Sequence, residues 1–303
     1  MTVFMCSGQG AQKPGMGADL LDIPEVAQVF ETASRVLDCN LTQLVTSGSA
    51  SEINDAFNAQ ALTCAVSIGV GRALIAHGVK PSAVLGFSLG QISALALTEA
   101  LDLESSFALL KVRAQAMARA CVTHPGAMYA LLGASNEEAQ ALCETCAQGR
   151  ILVMANYNCP GQRVISGEPE AIERAAATWS SKPKGRGTRL NTAGGFHSPL
   201  MAEAAIEVRN FCENLSFKNP KIPLLCNTDA LPFCAEEAAQ RLSKQIVSPV
   251  LFEQSVTKLI EAGECEFIET GFGGTLVGLT KRIDRSVSCA KAGTRKELEV
   301  LYA

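Results

Sequence analysis

Two hydrophobic rhythms divide the chain. Short apolar runs bounded by glycine, proline or polar residues read as buried strands at Val3–Cys6, Ala83–Gly86, Pro223–Cys226 and Glu266–Ile268. Longer stretches with apolar residues three or four apart read as helices at Pro24–Leu37, Ala59–His77, Gln91–Glu99 and Leu103–Ala120. Gly78 ends the second of these as a C-cap, and His77 sits in its last turn, where an imidazole complements the helix dipole. Further helices are expected from Pro199, near Glu236–Val247, at Phe252–Ala262, and at Leu276–Ile283 behind the loop Gly271-Phe272-Gly273-Gly274.

Between these halves the rhythm changes. Ala127–Leu132 reads as strand, Asn136–Gln148 as helix, Ile151–Ala155 and Gln162–Gly167 as strands, Pro169–Ser180 as helix and Gly187–Leu190 as strand. That β-α-β-β-α-β order is the ferredoxin-like unit. The predicted architecture is therefore α/β: a large α/β-hydrolase-like domain with a parallel sheet from residues 1–124 and 192–303, and a small ferredoxin-like domain inserted at 125–191.

Composition narrows the class. Of 303 residues, 48% are hydrophobic and 18% charged, which suits a buried sheet covered by helices. No apolar run is expected to reach bilayer length, and the start, Met1–Cys6, is cut too early by Gly8 to read as a secretory signal, so a cytoplasmic location is expected. The twelve cysteines, among them Cys39, Cys64, Cys121 and Cys226, are scattered singly as reduced, core-filling thiols. Cys143 and Cys146 form a C-x-x-C inside a predicted helix with no second pair at zinc spacing, and no metal is expected. A net charge of −4 argues against a general nucleic-acid binder.

The chemistry concentrates in Gly86-Phe87-Ser88-Leu89-Gly90, a G-x-S-x-G in its strand–turn–helix setting. Such a turn forces the serine into a strained conformation, and only glycine fits two residues to either side. Ser88 is the candidate nucleophile. Its base comes from three histidines: His77 belongs to a helix end, His124 precedes Pro125 as a linker residue, and His197 sits in Gly194-Gly195-Phe196-His197-Ser198-Pro199. The last is presented on a tight loop before a helix start, as a general base requires. It lies too far from the C-terminus for the serine–acid–histidine order of α/β-hydrolases, and no Asp-Gly-Gly or Asp-Gly-Ala segment supports a Ser–Asp dyad. Near the start, Ser7-Gly8-Gln9-Gly10-Ala11-Gln12 is a loop that lets backbone amides approach a ligand.

Taken together, Gly8–Gln12, the Ser88 elbow, Leu110–Met117, Asn156–Gln162, Phe196–Met201, Gln245–Pro249 and Leu276–Ile283 resemble, in colinear order, the malonyl-CoA:acyl carrier protein transacylases, a family of acyltransferases. The resemblance implies malonyl transfer from malonyl-CoA to the pantetheine thiol of acyl carrier protein for fatty-acid or polyketide synthesis, through a malonyl ester on Ser88 with His197 as base. It implies an oxyanion site at the backbone N–H groups of Gln9 and Leu89, and substrate contacts from Arg113, Met117 and Gln245, whose carbonyl region orients the histidine. Arg113 would grip the free carboxylate of malonyl. No cofactor is implied beyond the substrate malonyl-CoA, and a single copy of the chain is expected. Departures from the family pattern are Phe87 for histidine, Gln91 for glutamate, Ser7 for proline and Gly271–Gly274 for Gly-Pro-Gly-Lys. Because acyl carrier proteins are acidic, the basic stretch with Lys182, Lys184, Arg186 and Arg189 is the candidate docking patch, assisted by Lys281 and Arg282. A serine hydrolase, a paralogue serving malonate decarboxylation or polyketide synthesis, and a non-catalytic carrier-binding protein remain open at this point.

Overall fold

The computed structural model describes residues 1–302. In chain order the first half holds β1 (Thr2–Cys6), α1 (Pro24–Leu37), α2 (Leu41–Ser47), α3 (Ala50–Asn54), α4 (Ala56–Ala76), β2 (Pro81–Gly86), α5 (Gly90–Leu97) and α6 (Leu103–Thr123). The middle holds β3 (Ala127–Leu132), α7 (Asn136–Ala147), β4 (Leu152–Cys159), β5 (Gln162–Gly167), α8 (Pro169–Ser180) and β6 (Arg186–Arg189). The last part holds α9 (Ala202–Cys212), β7 (Leu224–Leu225), α10 (Ala238–Val247), β8 (Val250–Leu251), α11 (Phe252–Glu261), β9 (Glu266–Thr270), α12 (Thr275–Ile283), β10 (Ser288–Ala292) and α13 (Arg295–Leu301).

Helix starts follow local chemistry. Asp55 accepts from the amides of Phe57 and Asn58 at the head of α4, Asp102 accepts from Ser105 at α6, and Ser135 with Glu138 forms a capping box at α7. Pro24 and Pro169 occupy the first turns of α1 and α8, where a missing N–H costs nothing.

Two sheets result. The first is wholly parallel in the order β10-β9-β1-β2-β7, buried between helices. The second runs β6-β3-β5-β4-β8, antiparallel except for the last pair, in which Asn156 and Tyr157 of β4 lie beside Val250 and Leu251. Residues far along the chain thus add a strand to the sheet of the middle segment. Tyr129, Leu131 and Ile165 pack against α7 and α8 on one face of this sheet; Met128, Ala130 and Val164 lie on the other.

Several expectations need correction. The helix α4 is long and apolar enough to cross a membrane by length and composition, contrary to the sequence reading, but protein surrounds it: 83% of its most apolar window is buried against α1, α5, α6 and the parallel sheet. A helix apolar all round is what a core position demands. The strand expected to stop at Ala155 continues to Cys159, because pairing with β5 and β8 overrides the weak strand preference of Asn156 and Asn158. The helix expected from Pro199 begins as a 3-10 turn, Pro199–Met201, before α9. The short helices α2 and α3 and the terminal β10–α13 pair were not foreseen.

Candidate functional site

Strand β2 ends at Gly86 and α5 starts at Gly90, so Ser88 stands on the turn between them with φ +51°, left-handed for a residue with a side chain. A Cβ on Gly86 would overlap the Gly90 backbone, and one on Gly90 the carbonyl oxygen of Cys6 on β1. Both glycines are required by close approach.

His197 meets Ser88 from the loop before α9, itself at φ +57°. Its Nε2 lies 2.7 Å from Ser88 Oγ, and its Nδ1 faces two carbonyl oxygens, Gln245 at 3.0 Å and Ser248 at 3.1 Å. Two acceptors at Nδ1 put the proton there and leave Nε2 to accept from the Ser88 hydroxyl. Burial and the nearby Arg113 hold the imidazolium pKa down at about 4, against an ordinary 6.5.

Arg113, on α6, is the third member. Its Nη1 donates to Gln60 Oε1 on α4 at 2.9 Å and its Nη2 to Ser88 Oγ at 3.3 Å, while its buried Nε has no partner. The side chain is 4% exposed, and no carboxylate pairs with it among the described residues. Burial lowers its pKa to about 10, so the guanidinium is still charged near neutrality. A buried cation with an unfilled edge beside a nucleophile is a seat for an anion that arrives with a substrate.

These groups line one cleft of about 320 Å³, with Gln9, Leu89, Met117, Phe87, Met128, Asn156, Leu190, Asn191, Thr192 and Phe196 around it. The amides of Gln9 and Leu89 have no intramolecular acceptor among the described residues and remain available to an oxyanion. A second lobe of about 430 Å³ shares Gln9, Gly10, Phe87, Asn156 and Leu190 with this cleft and is bounded further by the Gly8 loop, Asn158, Glu269 and α12 as far as Arg282. A broader hollow of about 760 Å³ between Leu21 and Thr42 is shallow and holds none of these groups.

Residues 3–297 match the acyl transferase domain. The chain belongs to the acyl transferase family. It is 33% identical over 301 residues to the malonyl CoA-acyl carrier protein transacylase of Bacillus subtilis, covering 98% of this chain and 95% of that one. It is 35% identical over 280 residues to the enzyme of the same name from Haemophilus influenzae, covering 91% and 90%. Among solved structures it is similar to a malonyl transacylase in complex with a type II polyketide synthase acyl carrier protein, at TM-score 0.95 and 34% identity over 99% of this chain and 98% of that one. A second, from Streptococcus pneumoniae, gives TM-score 0.94 and 34% identity over 100% and 99%.

In this acyl transferase, Ser88, His197, Arg113, Met117, Gln9 and Leu89 converge as the sequence predicts. Gln245 is split between its two expected parts. Its carbonyl orients His197 through Nδ1 at 3.0 Å, as expected. Its side chain is absent from the cleft wall and lies behind the elbow, donating to Ser88 O and to Asn227 Oδ1, each at 3.0 Å, so the expected substrate contact is corrected: it braces the turn instead of lining the substrate cleft. The basic stretch also lies outside the cleft wall. Lys182 pairs with Glu138 at 3.6 Å and sits over the Trp179 ring, Arg189 pairs with Glu173 at 3.8 Å, and Lys184 and Arg186 carry no ion pair among the described residues. Arg282 borders the second lobe, whereas Lys281 is spent on the Val287 carbonyl.

Sequence reasoning missed Gln60 and Asn227. Gln60 had a signal, as a glutamine ahead of the long, mostly apolar run of α4. Asn227 had none: Cys226-Asn227-Thr228-Asp229 reads as a plain turn, yet its Oδ1 accepts from Ser88 N at 2.7 Å.

Proposed function

We propose that this chain transfers malonyl groups from malonyl-CoA to the pantetheine thiol of acyl carrier protein. Arg113 carries the reading: it is a buried guanidinium without a protein anion, its open edge beside Ser88. A malonyl thioester supplies the carboxylate this site lacks, and supplies it a few ångströms from the carbonyl to be attacked.

His197 Nε2 takes the Ser88 proton as Oγ bonds to the thioester carbon, and the N–H groups of Gln9 and Leu89 receive the oxyanion. Collapse expels coenzyme A as its thiol, protonated by His197, and leaves malonyl-Ser88. The carrier's thiol then gives its proton to His197, attacks the ester, and Ser88 recovers its proton. We assign the pantetheine arm of either thiol to the second lobe, which shares Gln9, Gly10, Phe87, Asn156 and Leu190 with the cleft that holds Ser88. We read residues 125–191 as a ferredoxin-like insert in a hydrolase-like body, supported by the order β6-β3-β5-β4 with α7 and α8 on one face. The unpaired state of all twelve cysteines supports work in the cytoplasm.

Mass spectrometry after mixing with malonyl-CoA should find a malonyl adduct on the Ser88 peptide, absent in Ser88→Ala, and addition of carrier should discharge it to malonyl-carrier. Discharge mainly to free malonate would make the protein a hydrolase, and an adduct in Ser88→Ala would move the nucleophile elsewhere.

A further inference from the structure

We infer that Asn227 is a positioning residue for the nucleophile. Its side chain holds the backbone on both sides of Phe87. Oδ1 accepts from the Ser88 amide at 2.7 Å, and Nδ2 donates to the Gly86 carbonyl. Gln245 Nε2 donates to the same Oδ1 and to Ser88 O, both at 3.0 Å, while Gln91 N also donates to Ser88 O at 3.0 Å. The N–H and C=O of the one residue in the elbow with a strained φ are thus both held by buried side chains, and Asn227 is 4% exposed.

A turn needs such a clamp because a serine at positive φ relaxes unless its surroundings over-determine it. An amide side chain is the fitting choice, since it offers an acceptor to Ser88 N and a donor to Gly86 O from one plane. The clamp is also tied to the base. Gln245, which shares Asn227 Oδ1, gives its own carbonyl to His197 Nδ1, and Leu251 N donates to Asn227 O at 2.8 Å just beyond Ser248, the other carbonyl on that nitrogen. Asn227 therefore fixes Ser88 Oγ relative to His197 Nε2 without touching substrate.

The inference rests on Ser88 as nucleophile, so wild-type protein is first shown to form the malonyl-Ser88 adduct. Rapid-quench measurements over a range of malonyl-CoA then compare Asn227→Ala, Asn227→Asp and Cys226→Ala. Displacing the reacting atoms should cut the maximal acylation rate of Asn227→Ala about 100-fold while half-saturation moves less than about threefold. Asn227→Asp keeps the acceptor for Ser88 N and should recover at least about tenfold of that loss. Cys226→Ala, which opens space in the neighbouring core but bonds nothing in the elbow, should acylate within about twofold of wild type. Asn227→Ala acylating within about threefold of wild type overturns the inference, as does an equal loss in Cys226→Ala. Failure of Asn227→Asp to exceed the Asn227→Ala rate overturns it too and, if Asn227→Ala does not fold, so does Asn227→Asp acylating at less than about one-hundredth of the wild-type rate. Absence of the adduct in wild type would instead overturn the function assigned to Ser88.

Discussion

His197 lies in a site that disfavours its charged form twice over, by removing water and by facing Arg113. Free protein should keep a working base far below pH 6.5, so the acid limb of kcat/KM for acylation belongs near pH 4. A malonyl carboxylate on Arg113 cancels much of the guanidinium's field and raises the imidazole pKa, which places the acid limb of kcat higher. Coincident limbs would remove Arg113 from that balance. The shift also links to folding. An unfolded histidine takes its proton near 6.5 and the folded one near 4, so this residue leaves stability unchanged above pH 6.5 and lowers it as pH falls from 6.5 to 4. Urea titrations of His197→Gln should lack that segment of the decline. For Arg113→Ala, malonyl transfer should lose about 2–5 kcal/mol of transition-state stabilisation while acetyl transfer changes far less. Equal losses with both acyl groups would return Arg113 to a structural role. At this scale the nucleophile and base were legible because each has a local signature, the glycines around Ser88 and the loop around His197, whereas Arg113 was reached through the family resemblance. Asn227 was not legible, since its partners lie 139 and 141 positions away.

Among the elements, the elbow and α12 hold glycines with opposite consequences. Gly90→Ala drives a methyl group into β1, where the backbone cannot yield, and should cost about 3 kcal/mol or more, read as a lowered unfolding midpoint. Gly278 sits inside α12 with open space around it, so Gly278→Ala should stabilise by about 0.5–1 kcal/mol. Destabilisation there would show that the second lobe depends on a bare backbone. Element type followed from pattern wherever a face was clearly apolar or a cap was present: Pro24–Leu37, Ala127–Leu132, Gln162–Gly167 and Pro169–Ser180 were read to the residue. The short helix α2 is only seven residues long, and β10 is a half-exposed edge strand, Ser288-Cys289-Ala290-Lys291-Ala292, whose polar pattern gives no period to read. Both are set by what they pack against.

For the whole molecule, net charge and carrier recognition pull in opposite directions. At −4 the chain repels an acidic partner overall, so association must use local positive charge. Glu138 and Glu173 pair with Lys182 and Arg189, which leaves Lys184 and Arg186 as the exposed cations of the stretch without an ion pair among the described residues. Reversing both to glutamate should slow transfer to carrier and flatten its salt dependence, with acylation by malonyl-CoA little changed. Carrier kinetics unaffected across a salt series would move docking toward Arg282 at the second lobe. The parallel order of the main sheet follows from alternating strands and helices, but the pairing of β4 with β8 joins residues almost a hundred positions apart and leaves no local trace. That pairing has a practical meaning for anyone who would treat the middle segment as an exchangeable cassette. Residues 248–251 close its sheet, hold His197 through Ser248 O and hold Asn227 through Leu251 N. A graft of 125–191 from a relative therefore inherits a seam it did not evolve with, and a misfit of a fraction of an ångström there reaches the proton acceptor directly. Transplants that carry 248–251 along should keep their chemistry; those cut at 125 and 191 alone should fold and turn over slowly.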